Sequence, residues 1–356
     1  MSPLPTPDPG FWRGKRVLLT GHTGFKGAWL MLWLQQLGAE VFGLALRPDT
    51  DPSLFDQLFP DGAPGHMLGD IRDPALVRDR VEQVRPDVVL HLAAQPLVLR
   101  SYDDPIETWQ TNVMGTAHLL EALRGTDRRM SVVIVTTDKV YENREWLHAY
   151  REPDRLGGHD PYSASKAGCE LVVASYRKSF FAGTPVHIAS ARAGNVIGGG
   201  DWAENRIIPD LVRALARGQT LEMRNPDAVR PWQHVLDPLA GYLRLAERLW
   251  DDASLSDAFN FGPDTADQRP VRALVETALQ RWPGTWRDAS DAAAPHEAAR
   301  LMLATDAARA RLGWAPRWAF ADAVNHTVDW YRAVHEGTDP RALSLAQIAA
   351  FERPDP

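Results

Sequence analysis

The sequence predicts an α/β fold, a doubly wound parallel sheet carrying a smaller, discontinuous mixed α/β lobe in its C-terminal half. Three observations predict it. A short apolar segment, RVLLT (16–20), runs directly into the glycine-rich Gly21-His22-Thr23-Gly24-Phe25-Lys26-Gly27 and then into an apolar helix. Hydrophobic strands then alternate with helical segments as far as about Ser190, a pattern that buries a parallel sheet on both faces. After Arg192 that rhythm loosens, and loop chemistry appears at Gly198-Gly199-Gly200-Asp201.

In chain order, the first helix extends to about Leu37 and is stopped by Gly38. Val41–Leu46 is the second strand and Met67–Asp70 the third. A helix follows with Val77, Val81 and Val84 on one face. Val88–Leu92, Val132–Thr136 and Val186–Ser190 continue the strand series. Beyond them come a helix over 207–217, a strand near 220–224, a helix over 233–250 and a strand at Phe259-Asn260-Phe261. The last third is helical and Ala-rich, with polar loops such as 284–297. No repeat and no low-complexity linker divides the chain. Residues 1–192, joined by about 233–258, are expected to form a Rossmann-type dinucleotide-binding domain, and 193–356 mainly a substrate domain packed on it.

Composition narrows the class. At 356 residues the chain is long enough for one large or two coupled domains. A net charge of −7 argues against a nucleic-acid partner, which favours a basic surface. The single cysteine, Cys169, excludes an intramolecular disulfide and fits a reducing cytoplasm. The opening MSPLPTPDPG lacks the basic and apolar regions of a signal peptide. The apolar run Ala28–Leu34 is too short to span a bilayer, so no membrane association is expected. The histidines form no HxxxH or HExxH pattern, and no metal site is expected.

Strand, GxxGxxG and helix in that order suit a dinucleotide. Glycines let the backbone approach a pyrophosphate, and a helix N-terminus favours its charge. Turns after later strands should line the same crevice. There Asp70-Ile71 would offer a carboxylate to an adenine amino group. Leu92-Ala93-Ala94-Gln95 would leave room for a nicotinamide ribose. The acidic residue that ordinarily binds the adenosine 2′-hydroxyl is missing. The segment reads Leu46-Arg47-Pro48, where Arg47 suits a 2′-phosphate or a plain surface position, so the residues leave NAD and NADP both open.

Two stretches carry the chemistry. Tyr162 and Lys166 stand four apart, on one face of a helix, where an ammonium lowers the cost of a tyrosinate. Thr137 would end the preceding strand and offer a hydroxyl to the same substrate oxygen. Asp138-Lys139 then adds an acid and a potential base. An adjacent Asp-Lys pair is often a solvated turn. Beside Thr137 and Tyr162 it instead suggests loss of water from a carbon next to a newly made ketone, with Lys139 neutral part of the time.

The motifs GHTGFKG, HLAAQ, TTDKVYENREW, LGGHDPYSASK, RAGNVIGGGDW, NRIIPD, RPWQHV and FNFGP run in order from residue 21 to 263. Together they resemble the CDP-glucose 4,6-dehydratases, an extended branch of the short-chain dehydrogenase/reductases. The tail PHEAARLMLATDAARARLGWAPRW carries the likeness to residue 318. Related dTDP- and GDP-sugar dehydratases usually place an acidic pair where this chain has Asp138-Lys139.

The resemblance implies that Tyr162, with Lys166 and Thr137, takes the C4 hydroxyl proton while hydride passes to NAD. Lys139 then removes the C5 hydrogen and Asp138 protonates the departing C6 hydroxyl. It assigns the cofactor to Gly21, Thr23, Gly24, Phe25, Lys26, Gly27, Asp70, Ile71, Leu92, Ala93, Ala94, Gln95, Thr111, Thr136, Tyr162 and Lys166. The sugar nucleotide falls to Asn195, Arg206, Arg230 and His296. It also implies a homodimer packed through helices near 110–123 and 162–180, and a route to 3,6-dideoxyhexoses. Two rivals stand beside this reading. A 4-epimerase or 4-reductase of the same superfamily needs Tyr–Lys but not Asp-Lys. A non-catalytic nucleotide sensor would be expected to have lost Tyr162, Lys166 or Asp138.

Overall fold

The computed structural model describes residues 6–290 and 301–353. Its frame is a parallel sheet of six strands: β1 (Arg16–Thr20), β2 (Glu40–Leu44), β3 (Val88–His91), β4 (Met130–Val135), β5 (Val186–Ala193) and β6 (Ala258–Phe261). Their spatial order is β6-β5-β4-β3-β1-β2. The chain winds outward from β1 to β2 on one side and from β3 to β6 on the other. The reversal between β1 and β3 opens a crevice at the strand C-termini, where ligands of such sheets bind.

The main helices are α1 (Phe25–Gln36), α2 (Pro74–Val84), α3 (Gly115–Leu123), α4 (Pro161–Ser179), α5 (Ile207–Ala216), α6 (Leu236–Asp251), α7 (Val271–Arg281), α8 (Phe320–His335) and α9 (Pro340–Glu352). Strand alternation sorts them onto two faces. Val17, Leu19, Val133 and Val135 join a core with α1 and α6, while Leu18, Val132 and Ile134 join one with α2, α3 and α4. Helix α1 is buried from Gly27 to Leu34, unlike a surface helix with one apolar stripe. The reason lies outside it: α9 covers its outer side, with Trp33 Nε1 donating to Glu352 Oε1 at 2.7 Å and the Trp33 ring set edge-on to Phe351.

Three expectations need correction. Met67–Asp70 is not a strand of the sheet. Only the single bridge Ala45–Leu68 forms there, because the chain touches β2's end through two bonds, Ala45 N to Met67 O and Gly69 N to Ala45 O, and then turns into α2. The helix expected from 233 begins at Leu236. Gln233–His234 is extended and pairs in parallel with Val196–Ile197, where Gln233 N bonds Asn195 O and Val235 N bonds Ile197 O. The polar loop expected over 284–297 contains a short strand, Trp286–Asp288, paired with Leu221–Met223. Among the described residues no helix is long and apolar enough to cross a membrane.

Candidate active site

A cavity of about 1860 Å³ runs along the C-terminal edge of the sheet, larger than an ordinary small-molecule pocket. It is lined from the glycine turn after β1, past the ends of β3, β4 and β5, to the segment 221–230.

Its floor is shaped by what is missing from two residues. Gly21 has φ +73°, and a Cβ there would lie 2.6 Å from Ala93 N. A Cβ on Gly27 would collide with the Gly21 carbonyl oxygen. These two glycines let β1, the turn and the end of β3 close together, leaving backbone and the α1 N-terminus facing the cavity. Phe25, Ile71, Leu92, Ala93, Ala94 and Thr111 line the same space. Thr111 lies in the wide turn Gln110–Met114 that precedes α3, the kind of bulge often found at functional sites. Lys26 faces the cavity too. Desolvation first and the Arg206 guanidinium second bring its ammonium down to about 8, against the opposing pull of Asp138 and Asp201.

Some expected cofactor residues have side chains already occupied. Asp70 lines the cavity, but Arg72 grips both carboxylate oxygens at 2.6–3.0 Å and lowers its pKa. Gln95 is locked to Leu97 and Thr108 by its amide, and Thr23 Oγ1 donates to Leu46 O. The Thr136 hydroxyl turns inward to Glu170 Oε1. These residues shape the cavity while their side-chain atoms hold the scaffold.

At the centre, β4 ends at Val135, short of the Thr137 expected to end it, and Thr136 and Thr137 lead into a tight turn, Asp138–Val140. Asp160 caps α4, accepting from Ser163 N at 2.9 Å and Ser163 Oγ at 2.6 Å, with Pro161 at the first helical position. That cap sets where Tyr162 and Lys166 emerge. Lys166 Nζ donates to Val135 O, the last residue of β4, at 3.1 Å, and burial lowers its pKa. Burial pushes the Tyr162 phenol up to about 12, although hydrogen bonding with Thr137 pulls the other way. Thr137 Oγ1 donates to Asp138 Oδ1 at 3.0 Å. The other Asp138 oxygen, Oδ2, is buried and has no partner. Its place depends on a neighbour, since a Cβ on Gly194 would approach Oδ2 to 2.6 Å. Lys139 is half-buried and lines the cavity beside it.

Beyond the turn, Asn195, Arg206 and Arg230 line the far half of the cavity. Arg206, just ahead of α5, gives one nitrogen to Asp201 Oδ2 at 2.9 Å. Arg230 is buried, in a short strand pairing with Arg269–Pro270. The structure thus brings together all five residues expected to be catalytic and three of the four expected at the substrate. His296 lies outside the described residues.

Sequence reading missed the residues behind the site. Gly194 sits inside a quoted motif, yet its role shows only once Asp138 is placed. His91 bridges Thr20 Oγ1 (2.7 Å) and Thr116 Oγ1 (3.2 Å), and burial brings its pKa down to about 3. Because the Thr116 hydroxyl donates to Asn112 O, the neutral ring must donate from Nε2. Glu170 did carry a signal: it continues the four-residue row of Tyr162 and Lys166. Among the described residues no cluster of His, Cys, Asp and Glu suits a metal ion.

Residues 18–327 match the protein family described as GDP-mannose 4,6 dehydratase. The chain is 46% identical to the CDP-glucose 4,6-dehydratase of Salmonella typhimurium strain LT2, across 97% of this chain and 98% of that protein. It is 32% identical to the dTDP-glucose 4,6-dehydratase of Streptomyces antibioticus, over 95% of this chain and 98% of that protein. Among solved structures, a double mutant of the dTDP-glucose 4,6-dehydratase DesIV from Streptomyces venezuelae, with NAD and DAU bound, superposes with a TM-score of 0.77. It shares 27% identity and covers 92% of this chain and 99% of its own.

Proposed function

The chain belongs to the GDP-mannose 4,6-dehydratase family, and we propose that within it the chain is a CDP-glucose 4,6-dehydratase. It converts CDP-D-glucose to CDP-4-dehydro-6-deoxy-D-glucose and water, with a tightly held NAD. The observation that carries this reading is the Asp138-Lys139 turn: Asp138 is bonded to Thr137 through Oδ1, acts electrostatically on Tyr162, and keeps a buried Oδ2 with no partner within the protein. A 4-epimerase or 4-reductase has no use for that acid.

The glycine floor and the small residues after β3 fit a dinucleotide; Gly21, Gly24, Gly27, Ile71, Ala93, Ala94 and Thr111 would hold it, with Lys166 at the ribose. Bound NAD⁺ supplies the hydride acceptor for C4 and the donor for C6, and its positive ring eases ionisation of a nearby phenol. Burial holds Tyr162 at about 12, as the neutral phenol; once it has given up that proton, the phenolate would accept the C4 hydroxyl proton, with Lys166 behind it and Thr137 beside the same oxygen. Once C4 is a ketone, its neighbour C5 is acidic, and Lys139 removes that hydrogen. Asp138 delivers a proton to the C6 hydroxyl, which leaves as water. Lys139 then returns a proton to C5. Arg206 and Arg230 bind the diphosphate and Asn195 a phosphate or sugar oxygen.

We read residues 1–192 with about 233–258 as the dinucleotide half and the rest of 193–356 as the part that closes on the sugar nucleotide. Exposed Ile106, Trp109, Met114 and Leu171 on the helices of 105–123 and 161–179, with Phe180 just past the second, favour a homodimer through those helices. An acidic net charge gives no support to a nucleic-acid partner. We place the enzyme in the cytoplasm, feeding 3,6-dideoxyhexose units to surface polysaccharide such as O-antigen.

The test is to incubate the purified protein with CDP-, dTDP-, UDP- and GDP-glucose and follow product mass. Loss of one water from CDP-glucose, without added reductant and faster than from the others, is expected. Absence of water loss from all four removes the dehydratase assignment, and preference for another nucleotide removes the CDP assignment.

A further inference from the structure

We propose that Glu170 and Arg192 are a positioning pair that clamps the Thr137–Val140 turn for the water-elimination step. The proposal rests on the reading that Asp138 and Lys139 carry that step.

The pair lies under the turn and touches both of its ends. On the near side, Thr136 Oγ1 donates to Glu170 Oε1 at 2.5 Å. Glu170 Oε2 accepts from Ser190 Oγ at 2.7 Å and from Arg192 at 2.9 Å, which ties the end of β4 to β5. On the far side, Arg192 donates through its other terminal nitrogen to the Tyr141 hydroxyl at 2.8 Å and to Glu152 O at 3.0 Å. The Tyr141 hydroxyl in turn donates to Asn260 Oδ1 at 2.7 Å, on β6. Thr136 and Tyr141 are the residues immediately flanking 137–140. The four residues between them are therefore held at both ends by one ion pair.

That ion pair is 4% exposed on each side, too deep to serve as a surface contact. Burial alone would raise the Glu170 pKa, but Arg192 with the Thr136 and Ser190 hydroxyls outweighs it, so the carboxylate stays ionised. A buried pair of this kind is weak evidence of net stability, and a well-packed apolar pair often does as well. What it supplies is direction: a carboxylate accepting three donors and a planar guanidinium with fixed forks permit one arrangement of the strand ends.

Of the oxidation residues, Thr137 sits at the edge of the clamped turn, but Tyr162 and Lys166 have separate supports. Tyr162 and Lys166 are placed by the Asp160 cap, by Ser101 Oγ accepting from Tyr162 N at 3.1 Å, and by the bond from Lys166 to Val135 O. None of these hydrogen bonds passes through Glu170 or Arg192, although the Glu170 charge also favours the Lys166 ammonium one helical turn away. Weakening the clamp should therefore let Asp138 and Lys139 drift while Tyr162 keeps its place, and a displacement near 1 Å costs on the order of 100-fold.

The experiment compares Glu170→Gln, Tyr141→Phe and Lys139→Ala in single turnovers of the holoenzyme with CDP-glucose. Two rates are read: appearance of reduced-nicotinamide absorbance, reporting C4 oxidation, and formation of the dehydrated product by mass. For Glu170→Gln, oxidation within about 3-fold of the parent and water loss slowed about 10- to 100-fold are expected, with transient accumulation of the reduced cofactor. Tyr141→Phe keeps the ion pair and removes only the far anchor. It should show the same split at about 5- to 10-fold, and it decides the matter if Glu170→Gln does not fold. Equal slowing of both rates, or of neither, in the folded variant overturns the clamp. Lys139→Ala separates the two ideas: if it too accumulates no reduced cofactor, the elimination roles fail; if it does while Glu170→Gln and Tyr141→Phe do not, only the clamp fails.

Discussion

At the end of β1 the cleft is built from glycine and backbone, whereas at the end of β4 it is built from ionisable side chains that the protein leaves partly unpaired. The two turns stand on neighbouring parts of one sheet and open into one cavity. In the first, close contact does the work: Gly21 and Gly27 have no room for a Cβ, and Thr23 spends its hydroxyl on Leu46 O. In the second, Asp138 Oδ2 is enclosed and unsatisfied, and Tyr162 is held protonated by burial. Leaving a buried acceptor unmet costs about 1–3 kcal/mol. That cost is sensible where a substrate hydroxyl completes the bond. On the proposed reading, the turn that holds the cofactor is finished in advance and the turn that moves protons is left unfinished.

Several substitutions would break or sharpen this contrast. Tyr162→Phe acts on the first chemical step and should lower both C4 oxidation and water loss by about 10²–10⁴-fold, measured as reduced cofactor and dehydrated product. Gly194→Ala puts a methyl group against Asp138 Oδ2 and should slow water loss by about 10- to 100-fold while oxidation persists. Equal slowing of the two would show that the Asp138 position matters to the whole site.

Gly27→Ala strikes the other turn. Overpacking of this kind costs about 1–3 kcal/mol, so a lower melting temperature and loss of copurified NAD are expected, with added NAD restoring part of the activity.

The smallest effect concerns Asp237, which has an unpartnered buried Oδ2 like Asp138 but lies at the start of α6, outside the cavity lining. Burial raises its pKa from 3.8 to about 7, against the pull of hydrogen bonds from the backbone N–H groups of Arg317 and Trp318. The folded state thus binds a proton that the unfolded state has released. Stability from this group is fully present below about 4, declines as pH rises through 7, and is flat beyond. Asp237→Asn should lack that decline and melt a few degrees above the parent at pH 8, with both chemical steps unchanged. A matching decline in the variant would contradict the raised pKa. Asp138 and Asp237 each keep an orphaned buried oxygen, but only Asp138 is among the residues that line the cavity.

Much of the frame was legible because its signals are local. The glycine turn, the apolar strands and the four-residue spacing of Tyr162 and Lys166 each follow from rules that act within a dozen residues. The strand expected at Met67–Asp70 fails for a non-local reason: the chain makes only one bridge, to Ala45, before α2 begins. Gln233–His234 reads as helix because Leu236 onward does, and only pairing with Val196–Ile197 holds it extended. Side-chain assignments in the floor were the least legible. Asp70 and Gln95 are in the cavity as expected, yet Arg72, Leu97 and Thr108 take the atoms expected for the cofactor. Gly194 and Arg192 act on the turn from 52 or more residues along the chain, a distance no motif rule spans.

The most direct test of the division between oxidation and elimination is Lys139→Ala mixed with CDP-glucose in a single turnover. Reduced-nicotinamide absorbance should rise and persist, with dehydrated product slowed by about 10²–10⁴-fold. Formation of that product at the parent rate, with no lasting reduced cofactor, would contradict the assignment of the C5 proton to Lys139 and with it the separation of the two turns' tasks.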